Sequence, residues 1–274
     1  MNGIAKKNAS CWIFLLVQIT LYLTFLTLDI SGGNVRLSVG IKYTIIILCF
    51  CYALFSKGVY KGILFFRAKL HNYQRVDIIL LQAGLFFTLI SDLFILILDY
   101  YIYGVLTFIL VQQLYGLRLM ILVYEGRTKD QRSCEGSMKR IALLYRNRLL
   151  IHTLIACLLY LVLHQFDIEI EGLLVVSVFY FITILSNTIS AIRLVGEDRK
   201  NRSNLIYAVG MLLFLLCDIN VGLFNLTGFI AMPEDIYSVI FSFSSILMWT
   251  FYAPSQVLIA MSIHYVKPLD SENV

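Results

Sequence analysis

The sequence predicts an all-α integral membrane protein, a bundle of eight transmembrane helices. Three observations carry that prediction. Of 274 residues, 59% are hydrophobic and 14% charged, with a mean hydropathy of +0.82. A soluble domain averages about 45–50% apolar and about 25% charged. The apolar residues gather into eight runs that approach or exceed the roughly 20 residues needed to cross the hydrocarbon core. The charges between the runs alternate in sign from one side to the other.

In chain order, the first run covers about 11–30 and follows Lys6 and Lys7. No small-residue cleavage site follows it, so a retained helix is expected. The second, 38–55, carries Lys42 about one turn in. The third, 77–98, contains Asp92 in AGLFFTLISDLF. The fourth, 101–124, opens on Tyr100, Tyr101 and Tyr103, which read as interfacial anchors. Deeper in it lie Gln112, Gln113, Tyr115 and Arg118. The fifth, 149–165, is the shortest, and the sixth covers 172–194. The seventh, 204–227, contains Asp218 in VGMLLFLLCDIN. The eighth, 237–262, contains Pro254, which removes a backbone donor and frees a carbonyl one turn earlier, near Thr250. Tyr252, Ser255 and Gln256 flank that proline. Residues 1–274 thus form one polytopic domain with no length left for a soluble one.

The loops fix a topology. Lys57, Lys61, Arg67, Lys69 and Arg75 follow span 2. Arg127, Lys129, Arg132, Lys139, Arg140, Arg146 and Arg148 follow span 4, and Arg193, Arg199, Lys200 and Arg202 surround the end of span 6. Lys267 lies in the tail. The opposite loops hold Arg36 and the acids Asp167, Glu169, Glu171, Glu234 and Asp235. Positive charge collects on the cytoplasmic side, so both termini are expected there, in a cell membrane. The basic loops read as topology signals near anionic lipid, with no nucleic-acid partner. Five cysteines (Cys11, Cys49, Cys51, Cys157, Cys217) fall within spans and Cys134 does not, so no disulfide framework is expected. His71, His152, His164 and His264 are scattered, which gives no histidine-rich metal centre, and no cofactor is implied.

Asp92 and Asp218 are the most informative residues. A carboxylate near the bilayer centre costs roughly 2.5–3.5 kcal/mol on insertion scales, and such residues mark functional sites by default. Each follows a glycine by eight residues, Gly84 and Gly210, and each has a small neighbour, Ser91 and Cys217. Both glycines and both aspartates are 126 residues apart, and spans 3 and 7 run in the same direction. A four-plus-four parallel repeat, with halves 1–126 and 127–274, would produce this pattern. Its axis along the membrane normal would set the aspartates opposite each other. Lys42 is expected to neutralise them in one cluster; Arg118 is expected either to pair inside the bundle or to snorkel to the cytoplasmic surface. Span lengths set Asp92 in the outer half and Asp218 nearer the middle.

These motifs resemble the YhhN-like transmembrane lysoplasmalogenase family. The stretch SDLFILILDYYIYGVLTFILVQQLY is similar to the family's Gly/Ser-Asp pair followed by Gly-x3-Phe-x3-His-x2-Tyr, with Gly104, Phe108 and Tyr115 in register. The seventh span resembles Gly-x2-Leu-Phe-x2-Ser-Asp at Gly210, Phe214 and Asp218. The eighth resembles Tyr-x3-Gln-x-Leu-Ile at Tyr252, Gln256, Leu258 and Ile259, and Lys42 stands where the family often has Lys-Pro. Three positions depart: Gln112 replaces histidine, Tyr43 replaces proline and Cys217 replaces serine.

The resemblance implies hydrolysis of the vinyl ether bond of lysoplasmalogens to a fatty aldehyde and a glycerophospho-headgroup. That reaction asks for a protonated acid and a counter-charge for an oxocarbenium ion. Two neighbouring buried carboxyls meet both demands, since they do not readily ionise together, and glycosidases meet the same demands with a carboxyl pair. Asp92 and Asp218 would be the catalytic pair. Lys42, Gln112, Tyr115, Arg118, Tyr252 and Gln256 would bind substrate, a lysophospholipid drawn from the bilayer. Two other classes fit the same residues: a proton-coupled small-solute transporter, since paired membrane carboxylates suit proton relays, and a non-catalytic lipid-binding protein, which Gln112 favours.

Overall fold

Polar backbone groups inside a bilayer must bond within their own segment, so each apolar run becomes a helix. The computed structural model describes residues 2–57, 73–127, 134–165, 172–225 and 233–265. The charges read at Lys61, Arg67, Lys69, Lys129, Arg132, Asp167, Glu169, Glu171 and Lys267, together with His71, lie outside these residues. Eight helices follow in order: α1 (Asn2–Ile30), α2 (Val35–Lys57), α3 (Tyr73–Asp92), α4 (Tyr101–Arg127), α5 (Cys134–Gln165), α6 (Gly172–Glu197), α7 (Arg202–Phe224) and α8 (Glu234–Ser262). All eight are long and apolar enough to cross a membrane, and the protein is a multi-pass membrane protein.

One boundary moves substantially. The fifth span, expected at 149–165, lies in a helix that starts at Cys134, with a membrane-length segment over Lys139–Val162. Arg146 and Arg148, read as loop residues, sit on this helix. Arginine is a good helix former, and its long stem lets the charge leave the apolar layer or find an internal partner. Arg146 takes the first course, being exposed, and Arg148 takes the second.

Neighbours in the bundle repeat. α1 packs on α2, α2 on α3 and α3 on α4; α5 packs on α6, α6 on α7 and α7 on α8. Between the two sets, α4 packs on α5 and α6 while α8 packs on α1 and α2. Replacing each helix by the one four places on carries these pairings onto themselves. The helices α1 and α5 are the peripheral members, with exposed faces of Trp12, Ile13 and Leu16 in one and Leu150, Leu154 and Leu158 in the other.

The two glycines of the Gly-x7-Asp pattern are close-approach points of equivalent pairs. A Cβ at Gly84 of α3 would run into the ring of Tyr115 in α4. A Cβ at Gly210 of α7 would come within 2.9 Å of Ile259 Cγ1 and 3.1 Å of the Ser255 carbonyl in α8. Small residues let helix backbones approach in this way. Tyr115 is fully buried, its ring edge-to-face with Tyr207 at 5.9 Å, so it has nowhere to retreat. Gly84→Ala is therefore expected to destabilise the fold by about 1–3 kcal/mol, seen as a lower midpoint in thermal unfolding in detergent.

Two local irregularities frame Asp92. After it, Leu93–Ile97 winds as a single wider turn of π-helix, closed by Leu98 N–H to Leu93 O at 3.1 Å. Asp99 then takes φ +56°, a region that aspartate tolerates, and the chain reverses into α4. Ser91 Oγ donates to Gly104 O at 2.6 Å, tying the hairpin just above the aspartate. Turns of this kind often accompany functional sites. At the other end of α7, Asn201 caps the helix by accepting from Ser203 and Asn204 N–H at 3.1 and 3.3 Å.

Candidate functional site

Asp92 and Asp218 occupy equivalent depths. The membrane-length segments start at Val76 and Arg202, and each aspartate lies 16 residues further on. This corrects the expectation that Asp218 sits nearer the middle; that expectation followed from setting both ends of span 3 one residue later and those of span 7 two and three residues later. Both side chains turn inward to one aromatic cluster.

Each carboxyl receives one phenol. Tyr252 of α8 donates to Asp92 Oδ2 at 2.6 Å, and Tyr180 of α6 donates to Asp218 Oδ2 at 2.7 Å. The Phe108 ring of α4 lies between the two phenols, with centroids 6.0 Å from Tyr180 and 6.3 Å from Tyr252. Phe214 closes the group at 5.7 Å from Phe108 and 5.5 Å from Tyr252. Cys217 lies within electrostatic range of both carboxyls, and Cys49 and Tyr43 lie within range of Asp92. Six helices thus supply one aromatic-walled group holding two acids, Asp92 buried and Asp218 half-buried. Tyr180 went unnoticed in the sequence, where it is one ring in an aromatic stretch, VFYF. The repeat was the available signal, since it sets α6 beside α7 as α2 is set beside α3.

Neither expected cation reaches this group. Lys42 Nζ pairs with Asp29 Oδ2 at 2.7 Å and lies over the rings of Trp249 and Phe25, at 4.9 and 5.6 Å. Ser38 Oγ also donates to Asp29, at 2.5 Å. The expected cluster of Lys42 with Asp92 and Asp218 is therefore corrected: an acid one helix earlier, near the same membrane face, claims the lysine. Arg118 does not snorkel. It is 1% exposed, its Nε donates to Asp77 Oδ1 at 2.5 Å, and its guanidinium stacks on Tyr207 at 4.2 Å. Asp29 and Asp77 sit close to span ends and gave no reason to be placed inside. Neither of these two ion pairs includes Asp92 or Asp218.

The remaining predicted residues divide by layer. Gln112 is fully buried beside the Tyr180 hydroxyl, so it borders the carboxyl group, and its Oε1 and backbone carbonyl both accept from Asn187 Nδ2 at 2.8 Å. Tyr115 lies nearer the Arg127 end of α4, against Gly84 and Tyr207. Gln256, one turn beyond Tyr252, is fully buried with Nε2 at 3.3 Å from Ser255 Oγ. Near Pro254, the Thr250 carbonyl expected to be released meets the Tyr22 hydroxyl of α1 at 3.5 Å.

What this arrangement can do is limited by its partners. A carboxyl facing only a phenol and aromatic rings can keep or release a proton without an ion pair to break.

No curated protein and no solved structure matches the chain. The sequence model of the YhhN family matches residues 53–263, which span α3 to α8 and the last turn of α2, including both aspartates and both phenols. The chain therefore belongs to the YhhN family.

Proposed function

We propose that the protein is a membrane hydrolase that cleaves the vinyl ether bond of lysoplasmalogens, with Asp92 and Asp218 as its catalytic pair. One carboxylic acid delivers its proton to the alkene carbon distal to the ether oxygen. The carbon next to oxygen becomes an oxocarbenium ion, and the second carboxylate stabilises that charge. Water adds to the cation and loses a proton to the carboxylate left by the first step. The hemiacetal then collapses to a fatty aldehyde, and the glycerol oxygen leaves protonated as the free headgroup. Atoms balance with one water consumed. Phe108, Phe214 and the two tyrosines would flank the alkenyl chain. The protein would act in the cell membrane with both termini cytoplasmic, as its basic loops indicate.

One observation carries this reading: among the described residues neither membrane carboxyl pairs with a cation, while Lys42 and Arg118 pair with other acids. A structural role would instead pair them. Family membership supports it, and the phenol donors supply what the absent family histidine at Gln112 would otherwise contribute, a hydrogen-bond donor beside the acid.

The test is aldehyde release by detergent-purified protein given a lysoplasmalogen and, in parallel, its saturated 1-alkyl analogue. Aldehyde is expected from the vinyl ether alone. Folded protein that yields none from either ether would sink the proposal. In that event, pH-driven solute flux in liposomes would identify a transporter, and stabilisation by lysolipids without turnover would identify a lipid-binding protein.

A further inference from the structure

A third cation reaches into the bundle, and among the described residues no acid claims it. Arg148 projects from α5 toward α4 and α6, where its Nη2 donates to Asn187 Oδ1. It reaches that position across Gly116, whose added Cβ would stand 3.0 Å from Arg148 Nη1 and 2.9 Å from Asn187 Oδ1. Tyr207 is within its electrostatic range, and Tyr207 also carries the stacked Arg118. Among the described residues no carboxylate pairs with Arg148. Asp77, the nearby acid, is already spent on Arg118.

Unused hydrogen-bonding atoms surround it. Gln112 Nε2, Arg118 Nη1 and the Tyr207 hydroxyl are buried and none meets a partner at full hydrogen-bond geometry, although Arg118 adjoins the Tyr207 hydroxyl and Gln112 adjoins that of Tyr180. All three can donate, and the first two can only donate. Gln112, Arg118, Asn187 and Tyr207 are each at most 1% exposed, whereas Arg148 keeps partial access. Buried donors left without acceptors are costly, and donors gathered beside an uncompensated guanidinium fit an anion with several acceptor oxygens. Paired Lys42 offers nothing comparable.

From this we infer that Arg148, with Asn187, Tyr207 and the free edge of Arg118, is a binding site for a phosphate ester, and that in the hydrolase reading, on which this rests, it receives the headgroup phosphate. Geometry relates it to the carboxyls. Asn187 holds Arg148 and Tyr180 holds Asp218, and the two lie seven residues apart on α6, two turns on one face, about 10 Å at about 1.5 Å per residue. In a lysoplasmalogen, seven bonds separate phosphorus from the alkene carbon to be protonated, roughly 8 Å at the extended-chain reach of about 1.2 Å per bond. A phosphate at Arg148 thus sets the alkene beside Asp218. Arg148 lies nearer the basic-loop face than Asp218 does, so the lipid enters headgroup-down from the cytoplasmic leaflet with its chain pointing outward.

The experiment separates this from turnover by using ligands that are not substrates. Binding of a saturated 1-alkyl lysophospholipid, of the matching 1-alkylglycerol and of glycerophosphate is measured for purified wild type, Arg148→Gln and Arg148→Lys. The lysophospholipid is expected to bind wild type about ten- to hundredfold more tightly than the alkylglycerol. Arg148→Gln should erase that difference and leave alkylglycerol affinity unchanged; Arg148→Lys, which keeps the charge and loses the fork, should retain part of it. Competition by glycerophosphate in wild type and not in Arg148→Gln would support the site and make its source a soluble ester. Equal binding of the two lipids by wild type overturns the inference whether or not the variants fold, as does an undiminished preference in Arg148→Gln. Wild-type aldehyde release from aspartate variants would remove the hydrolase reading and leave this binding result standing.

Discussion

Asp92→Asn and Asp218→Asn are each expected to lower aldehyde release by about a thousandfold or more. Asparagine is nearly isosteric, and its Oδ1 can still accept from Tyr252 or Tyr180 at the present 2.6 and 2.7 Å. What it cannot do is donate an acidic proton or carry the counter-charge. A positioned general acid contributes about 10²–10⁴ in rate, and electrostatic stabilisation of a developing charge adds to that. The variants should therefore keep their thermal midpoints while losing activity. If both retain wild-type turnover, the two carboxyls are not the reacting groups. Loss of activity together with unfolding would point to a packing role for the aspartates.

The second large effect concerns stability. Asp77→Ala leaves the Arg118 guanidinium, 1% exposed, with no counter-ion in the helix interior. Breaking a buried pair from one side costs about 3–5 kcal/mol, because the remaining charge stays desolvated. A fall of that size in unfolding free energy, measured in detergent, is expected for Asp77→Ala. The double variant Asp77→Leu with Arg118→Met should recover most of it, since an apolar replacement of a whole buried pair is often neutral. Equal losses in the single and double variants would show that the ion pair is not the cause. Because Arg118 also contributes to the phosphate site proposed above, the double variant should regain stability without regaining phosphate-dependent lipid binding.

Much of the fold was legible because bilayer physics allows few solutions. Eight apolar runs had to become eight helices, and the 126-residue spacing of two Gly-x7-Asp segments already pointed to equivalent helices. The fifth helix was misread because Arg146 and Arg148 look like loop charges. Nothing local to the sequence says that Gly116 leaves room for one of them to reach inside. Depth and motif single out Asp92, Asp218, Tyr252 and Gln112 in the sequence. They do not single out the partners, because hydrogen bonds between spans depend on which helices touch. Tyr252 meets Asp92 across 160 residues, and Arg118 meets Asp77 across 41. Lys42 was assigned to the wrong acids for the same reason: sequence gave its depth, and Asp29 happened to be the carboxylate one hairpin away.

That hairpin relationship bears on how the chain enters a membrane. Asp29 and Lys42 belong to α1 and α2, and Asp77 and Arg118 belong to α3 and α4. In both cases the opposite charges lie on consecutive helices, so each pair can cancel as soon as its second helix leaves the translocon, before the rest of the chain is made. The two aspartates of the aromatic cluster differ in this respect. Asp218 finds Tyr180 on the helix just before it, but Asp92 waits for α8, the last helix synthesised. A ribosome stalled after α7 would therefore hold a nascent chain with one hydrogen-bond acceptor unmet in hydrocarbon, and arrival of α8 is the step that commits the bundle.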